Sequence, residues 1–290
     1  MHTTRRTRGV LASFVAGAVI VAGSMFGGSA ATAAQLKKPP PSQPQPPAAT
    51  LVIAALGDSI TQAIMTCSSL TTCAANSWAT GTTSTVNSVA TRLKATTRYT
   101  NAVSGVKSDA LLGQAQAAVA QKAQYVTIEI GANDACTPTV GEMTDPEVYA
   151  SNVSAALTEL SKATGSHPKI FVASIPSLQQ LYAINAGNSS ARFTWNLLKV
   201  CQSMLASPSS SLPGDLQRRS DVQARVQAYN DKLAGLCTAA INCTFDNYVV
   251  ANEPFTRSDI STRDYFHPSL AGQTKLAGIA WTSSGWTPLS

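Results

Sequence analysis

Apolar and polar positions follow two alternating rhythms along the chain. Three short apolar runs, LVIAAL at 51–56, YVTIEI at 125–130 and KIFVASI at 169–175, each end against Gly or Pro and read as buried strands. Runs at 99–103 and 244–249 predict two more. The segments between them carry helical spacing. Residues 84–96 line up Val86, Val89, Ala90 and Leu93, and 108–122 is rich in Ala and Gln, with Ser108 as its N-cap. A helix over 145–163 opens on Asp145-Pro146-Glu147, with Pro in the first turn and carboxylates near the N-terminus. Val222, Val226, Tyr229, Leu233 and Leu236 share one face of 221–237, and 269–281 closes the chain as a helix. Strands alternating with helices predict an α/β fold of three layers: a parallel sheet of about five strands with helices on both faces. In such sheets ligands gather beyond the carboxyl ends of the strands.

One stretch breaks the rhythm. Residues 177–220 hold Tyr182, Phe193, Trp195, Leu197 and Leu198, then the loop SPSSSLPG. A connection this long is usually functional or carries its own helices. Two readings stand side by side: the insertion shapes an acyl pocket, or its aromatics fill core.

The first residues belong to another pattern. Arg5, Arg6 and Arg8 precede an apolar run over 10–26, small residues follow, and Ala31-Thr32-Ala33 fits a cleavage site, so 1–33 reads as a signal peptide. The competing reading is an uncleaved anchor, because the run approaches the roughly 18 residues that a span requires. Arg5-Arg6 hints at a twin-arginine signal, but Thr7-Arg8-Gly9 matches that pattern poorly and the general route is favoured. Residues 34–49 form a Pro-rich linker, extended and solvated. It either spaces the domain from a cell wall or membrane or is a tail without a role. Residues 50–290 then form one domain.

Composition adds limits. Apolar residues make up 44% of the chain and charged ones only 12%. Arg5, Arg6 and Arg8 account for three of the six net positive charges, and no Lys/Arg stripe remains on the domain, which excludes nucleic acid as a partner. No second run of membrane-spanning length follows the first, so the expected product is a soluble, secreted, extracellular monomer, with association to the cell wall left open. Six cysteines in an exported chain imply disulfides. Cys67/Cys73 and Cys237/Cys243 are spaced for local bridges, which leaves Cys136 to pair with Cys201 at long range. A zinc site is the alternative, but the spacings lack C-x-x-C and few histidines are available.

Three segments carry chemistry. Serine needs a base within hydrogen-bond reach and donors for the oxyanion that its attack creates. Gly57-Asp58-Ser59-Ile60 follows the first strand and would set Ser59 on a strand-to-helix turn. Gly131-Ala132-Asn133-Asp134 follows the run at 125–130 and offers the Asn133 amide at the same edge. Asp264-Tyr265-Phe266-His267-Pro268 supplies an imidazole, with Asp264 one turn away to fix its tautomer. His167 precedes Pro168 at the amino end of a strand, the wrong side of the sheet, so His267 is the base. Each segment alone has a structural explanation, as a helix cap, an Asn-Asp turn or an ordinary loop. Asp58 and Asp134 are read as holding loops through backbone hydrogen bonds rather than acting chemically.

Taken together the segments resemble the SGNH, or GDSL-type, hydrolase family over essentially the whole exported domain. Gly57-Asp58-Ser59 resembles the first block, Asn101-Ala102-Val103-Ser104-Gly105 the second, Gly131-Ala132-Asn133-Asp134 the third, and Asp264 to His267 the D-x-x-H block. Ile60 stands where the family name has Leu. The stretch ending in Asn76-Ser77-Trp78-Ala79-Thr80-Gly81 is similar to secreted actinobacterial members. The resemblance implies a flavodoxin-like sheet, a Ser59, His267 and Asp264 catalytic set, and an oxyanion hole made by the backbone N–H groups of Ser59 and Gly105 with the Asn133 side chain. It implies carboxylic ester hydrolysis of the lipase or esterase type through an acyl-enzyme, with no metal or organic cofactor. A carbohydrate acetylesterase or a phospholipase of the same fold, or a cell-envelope binding module without turnover, are the alternatives.

Overall fold

The computed structural model describes residues 50–288 apart from 69, 164 and 166. The readings of 1–33 as a signal and 34–49 as a linker lie outside the described residues. Among the described residues the sheet has five strands, all parallel, in the order β2-β1-β3-β4-β5. They are β1 (Val52–Gly57), β2 (Thr97–Thr100), β3 (Tyr125–Glu129), β4 (Lys169–Val172) and β5 (Cys243–Phe245). Central strands of a parallel sheet are covered on both faces, which is why β1 and β3 are buried almost throughout and read as continuous apolar runs. The order places β1 next to β3, with the connection through β2 leaving on the other side. This is the switch point at which a crevice opens above the sheet.

Ten α-helices are described. Before the insertion come α1 (Val89–Arg92), α2 (Leu111–Ala120), α3 (Ala132–Ala135) and α4 (Pro146–Leu160). The insertion carries α5 (Leu178–Asn185), α6 (Ser189–Leu198) and α7 (Gln202–Leu205), and it runs into α8 (Pro213–Ala239). The chain ends on α9 (Val249–Asn252) and α10 (Leu270–Ser284). Helices cover both faces of the sheet: α2, α4 and α8 pack in succession, and α1 packs on α10. Asp145 caps α4, its carboxylate accepting the Glu147 N–H at 2.8 Å with Pro146 behind it, as the sequence predicts.

Several elements depart from expectation, each for a local reason. The helix expected over 84–96 shrinks to the single turn of α1, because Asn87 and Lys94 take positive φ on either side. Its apolar residues are buried all the same, so the spacing reported burial rather than helix length. Ser108 does not cap α2. Residues Ser108–Ala110 form a 3-10 turn, and the Ser108 hydroxyl is drawn to Asp134. The strand expected over 99–103 starts two residues earlier, and the one at 244–249 ends at Phe245, after which the chain turns into α9. The helix at 221–237 begins at Pro213, whose ring suits a first turn, so the insertion is shorter than 177–220 by the residues from 213 onward.

All six cysteines are paired: Cys67–Cys73, Cys136–Cys201 and Cys237–Cys243. No thiolate is left for zinc. The Cys136–Cys201 bridge ties the insertion to the loop beyond β3. It closes the longest loop and so removes the most entropy from the unfolded chain, stabilising the fold by about 4 kcal/mol.

Candidate active site

Three loops at the carboxyl edge build the site, beginning with the turn after β1. Gly57 ends that strand at φ +140°, and a Cβ there would lie 2.1 Å from the Glu129 carbonyl oxygen, so only glycine lets β1 and β3 approach this closely. The chain leaves Gly57 into a run of turns rather than the expected helix. The Gln62 N–H donates to the Asp58 carbonyl and the Ile64 N–H to the Ser59 carbonyl, both at 3.1 Å, before Ala63 and Met65 take positive φ.

Two glutamines from different helices pin this turn. Gln114 of α2 grips Gly57 twice, accepting its N–H at 2.7 Å and donating to its carbonyl at 2.9 Å. Gln273 of α10 donates to the Ile60 carbonyl at 2.8 Å and accepts the Trp78 N–H at 2.9 Å. Both are buried. Buried amides need partners, and these find them in the backbone on either side of Ser59. No sequence signal marked either residue.

The loop before α10 supplies the imidazole. Tyr265 at φ +54° folds the segment back, so that the Tyr265 N–H donates to the Ser261 carbonyl at 2.9 Å and the Ser261 N–H donates to the His267 carbonyl at 2.8 Å. Asp264 is buried and fully engaged. One carboxylate oxygen accepts the N–H groups of Phe266 and His267 at 3.0 and 3.1 Å; the other lies 2.5 Å from His267 Nδ1. His267 Nε2 lies 2.8 Å from Ser59 Oγ. With Nδ1 bonded to a carboxylate, Nε2 carries the free lone pair and faces the hydroxyl. A hydroxyl, an imidazole and a carboxylate, the first of them 208 residues from the second, thus form one continuous relay.

The third loop brings Asn133. Gly131 at φ +126° starts it; a Cβ there would strike Ile175 at 2.4 Å. The Asn133 amide donates to the Val106 carbonyl at 3.0 Å and to Asp58 at 3.3 Å, so it joins all three of the loops that follow β1, β2 and β3. Gly105, at φ +79° and exposed, precedes Val106 in the loop after β2. Asn133 and Gly105 therefore stand at the rim near Ser59 but are not in the relay.

Asp58 and Asp134 hold loops. Asp58 accepts the Ile60 N–H at 2.9 Å, and Asp134 accepts both the N–H and the hydroxyl of Ser108 at 2.9 and 2.7 Å. Burial pushes the Asp58 carboxyl up to about 6, with the Ile60 N–H and the nearby His267 acting against the shift. Burial also raises Asp134, and the Ser108 bonds oppose it. Glu129, at the end of β3, is more unusual. It is buried, neither carboxyl oxygen has a partner among the described residues, and desolvation followed by the charge of Asp58 holds it well above the usual range. Glu129 is a buried acid that sequence reading missed, hidden inside an otherwise ordinary β run.

The insertion reaches the site from the side. Trp195 of α6 is fully buried, and its indole N–H donates to the Tyr265 carbonyl at 3.2 Å, inside the Asp264 to His267 turn. Leu181 and Ile184 of α5 line a narrow apolar cleft with Ile60, Ala132, Phe266 and Pro268. Those last four are sequence neighbours of Ser59, Asn133 and His267. Within the insertion Trp195 fills core, while Leu181 and Ile184 of α5 line the cleft.

No curated protein matches the sequence. Among solved structures, a variant of an acetyl-xylooligosaccharide esterase from Geobacillus stearothermophilus is similar with a TM-score of 0.51 at 15% identity, covering 83% of this chain and 97% of that one. Phospholipase A1 from Streptomyces albidoflavus has a TM-score of 0.47 at 14% identity, covering 81% of this chain and 100% of that one. An extracellular lipase from Streptomyces rimosus has a TM-score of 0.46 at 16% identity, with the same coverage. A family model matches residues 55–275, a span that runs from β1 through the D-x-x-H segment into α10. By that match the chain belongs to the GDSL-like lipase/acylhydrolase family.

Proposed function

We propose that the protein is a secreted carboxylic ester hydrolase of the esterase or lipase type that works through an acyl-enzyme on Ser59. One observation carries the reading: the unbroken relay from Ser59 Oγ through His267 to Asp264. His267 Nε2 takes the hydroxyl proton as Ser59 attacks the ester carbonyl, and Asp264 stabilises the imidazolium that forms. The tetrahedral oxyanion is held by the N–H groups of Ser59 and Gly105 and by the Asn133 amide, whose longer bond, to Asp58, is the one it exchanges. His267 then protonates the leaving alcohol. Water enters, loses its proton to His267, and releases the acid from Ser59. The apolar cleft lined by Leu181, Ile184 and Phe266 takes the acyl chain.

Secretion is supported by three disulfides, which persist in oxidising compartments. Among the described residues no helix is long and apolar enough to cross a membrane. The domain organisation proposed is a removable signal over 1–33, a linker over 34–49 and one hydrolase domain acting as a monomer.

Ser59→Ala tests the reading. It abolishes turnover of p-nitrophenyl butyrate, with a loss of at least about 10⁴-fold, and abolishes covalent labelling by a fluorophosphonate probe. A wild-type protein that takes no label is a binding module rather than an enzyme, and a variant with near-wild-type turnover removes Ser59 from the chemistry.

A further inference from the structure

The helix that braces the catalytic loop has a second face. Ala191 and Trp195 of α6 are one turn apart and fully buried. Through Trp195 that inner face is bonded to the Tyr265 carbonyl, between Asp264 and His267. On the opposite side Phe193 and Leu197, again one turn apart, are 68% and 64% exposed. Single exposed apolar residues are ordinary, whereas a phenylalanine and a leucine paired on one outer face of a ten-residue helix form a patch.

Charge gives the face a partner. Arg192 and Lys199 flank the two apolar residues, and no Asp or Glu occurs between Glu159 and Asp215. Two further exposed cations lie in the segment that leads to His267. Arg257 is exposed and anchored to the Ile184 carbonyl at the end of α5, and Arg263 is exposed in the loop that leads to His267. Leu70, 58% exposed, shares a groove with both arginines. An outward apolar pair flanked by cations, with no carboxylate from 160 to 214 to repel phosphate, matches an anionic phospholipid surface. Such a surface accepts the apolar groups at its acyl boundary and attracts the cations at its headgroups.

We infer that the outer face of α6 is an interfacial contact with an anionic phospholipid membrane. Phe193 and Leu197 enter the interface, and Arg192 and Lys199 meet the headgroups. The binding step stands independently of hydrolysis. Only the delivery of membrane esters to Ser59 rests on the proposed function.

The test is co-sedimentation of the purified protein with vesicles of phosphatidylglycerol and phosphatidylcholine in equal parts, and with vesicles of phosphatidylcholine alone. p-Nitrophenyl butyrate turnover is measured in parallel as the soluble readout. The wild type binds the anionic vesicles, more weakly at high salt. Phe193→Ser combined with Leu197→Ser lowers that binding at least about tenfold, and Lys199→Glu alone lowers it about tenfold. Both variants keep soluble turnover within about twofold of the wild type, which also shows that they fold. Wild-type protein that ignores anionic vesicles overturns the inference, as does a double variant that binds them undiminished. A concentration-dependent dimer lost in the double variant, without vesicle binding in the wild type, assigns the face to a second copy and also overturns it. Vesicle binding by a protein that turns over no ester leaves the inference standing and removes the enzymatic reading instead.

Discussion

The two ends of the sheet differ in what they bury. At the amino end the chain presents everyday loop chemistry. Gln124 accepts the Val52 N–H at 3.0 Å on an exposed surface, His167 is exposed with its carbonyl engaged by Asn242, and a wide groove there is lined by Thr50, Lys122 and Gly165. At the carboxyl end the cleft is narrow, yet the protein buries Asp58, Ser59, Glu129, Asp134 and Asp264 beneath it. Buried carboxyls disfavour the folded state unless neutralised or bonded; here the three aspartates are bonded and Glu129 is held toward its neutral form. The larger opening is not the chemical one. The difference between the two ends is the density of buried, oriented polar groups, and each of the following measurements is a way to break that contrast or sharpen it.

The sharpest contrast lies between the two histidines of the described domain. His267→Ala lowers kcat for p-nitrophenyl butyrate by about 10⁵-fold or more, while His167→Ala leaves it within about twofold. Comparable losses from both would erase the distinction between the ends. Asp264→Asn comes next. Its loss of about 10³- to 10⁴-fold is smaller than that of His267→Ala, because the imidazole remains while its tautomer and orientation suffer. An equal or larger loss would assign Asp264 a different part.

Asn133→Ala lowers kcat by about 10²- to 10³-fold, the scale of one lost oxyanion donor. Because Asn133 also joins three loops, the melting temperature of the variant must be measured alongside. Asn133→Asp keeps the shape but replaces the donating amide with a carboxyl and is equally slow. A fast Asp variant would place the oxyanion elsewhere.

The smallest effect on rate and the clearest on stability belongs to Glu129→Gln. In the folded state Glu129 keeps its proton well above the ordinary range, while the unfolded chain releases it near 4.5. The folded state then binds more protons, so stability falls as pH rises past that value. Asp58 acts in the same sense between 3.8 and about 6. An amide in place of the Glu129 carboxyl cannot titrate. The variant therefore melts with the wild type near pH 4 and progressively above it from about pH 5 to 8, with kcat within about threefold. Parallel melting curves across that range would mean that Glu129 is not held protonated.

Legibility followed the same division. The apolar runs at 51–56, 125–130 and 169–175 marked β1, β3 and β4, because strands covered on both faces must be apolar throughout. Weakly patterned β2 and β5, with their half-exposed residues, were displaced by a few positions. The relay residues stood on the sequence's short list because three segments, each ordinary alone, together resembled the family's blocks in order and placement. Gln114, Gln273 and Glu129 did not, because buried amides and acids carry no periodic signature. The two glutamines matter for what they meet across 57 and 213 residues of chain, in the Gly57–Gln114 and Ile60–Gln273 bonds. Glu129 matters for the partners that burial denies it.

Local sequence by itself determined the parallel α/β architecture and the short list of reactive side chains, since backbone periodicity and turn chemistry act over a few residues. Only the tertiary structure decided which amides pin the nucleophile turn, which acids are buried beneath the site, and which face of α6 is left to the solvent. Those outcomes depend on packing between segments far apart in the chain, where burial and partners, rather than residue type, set what a side chain can do.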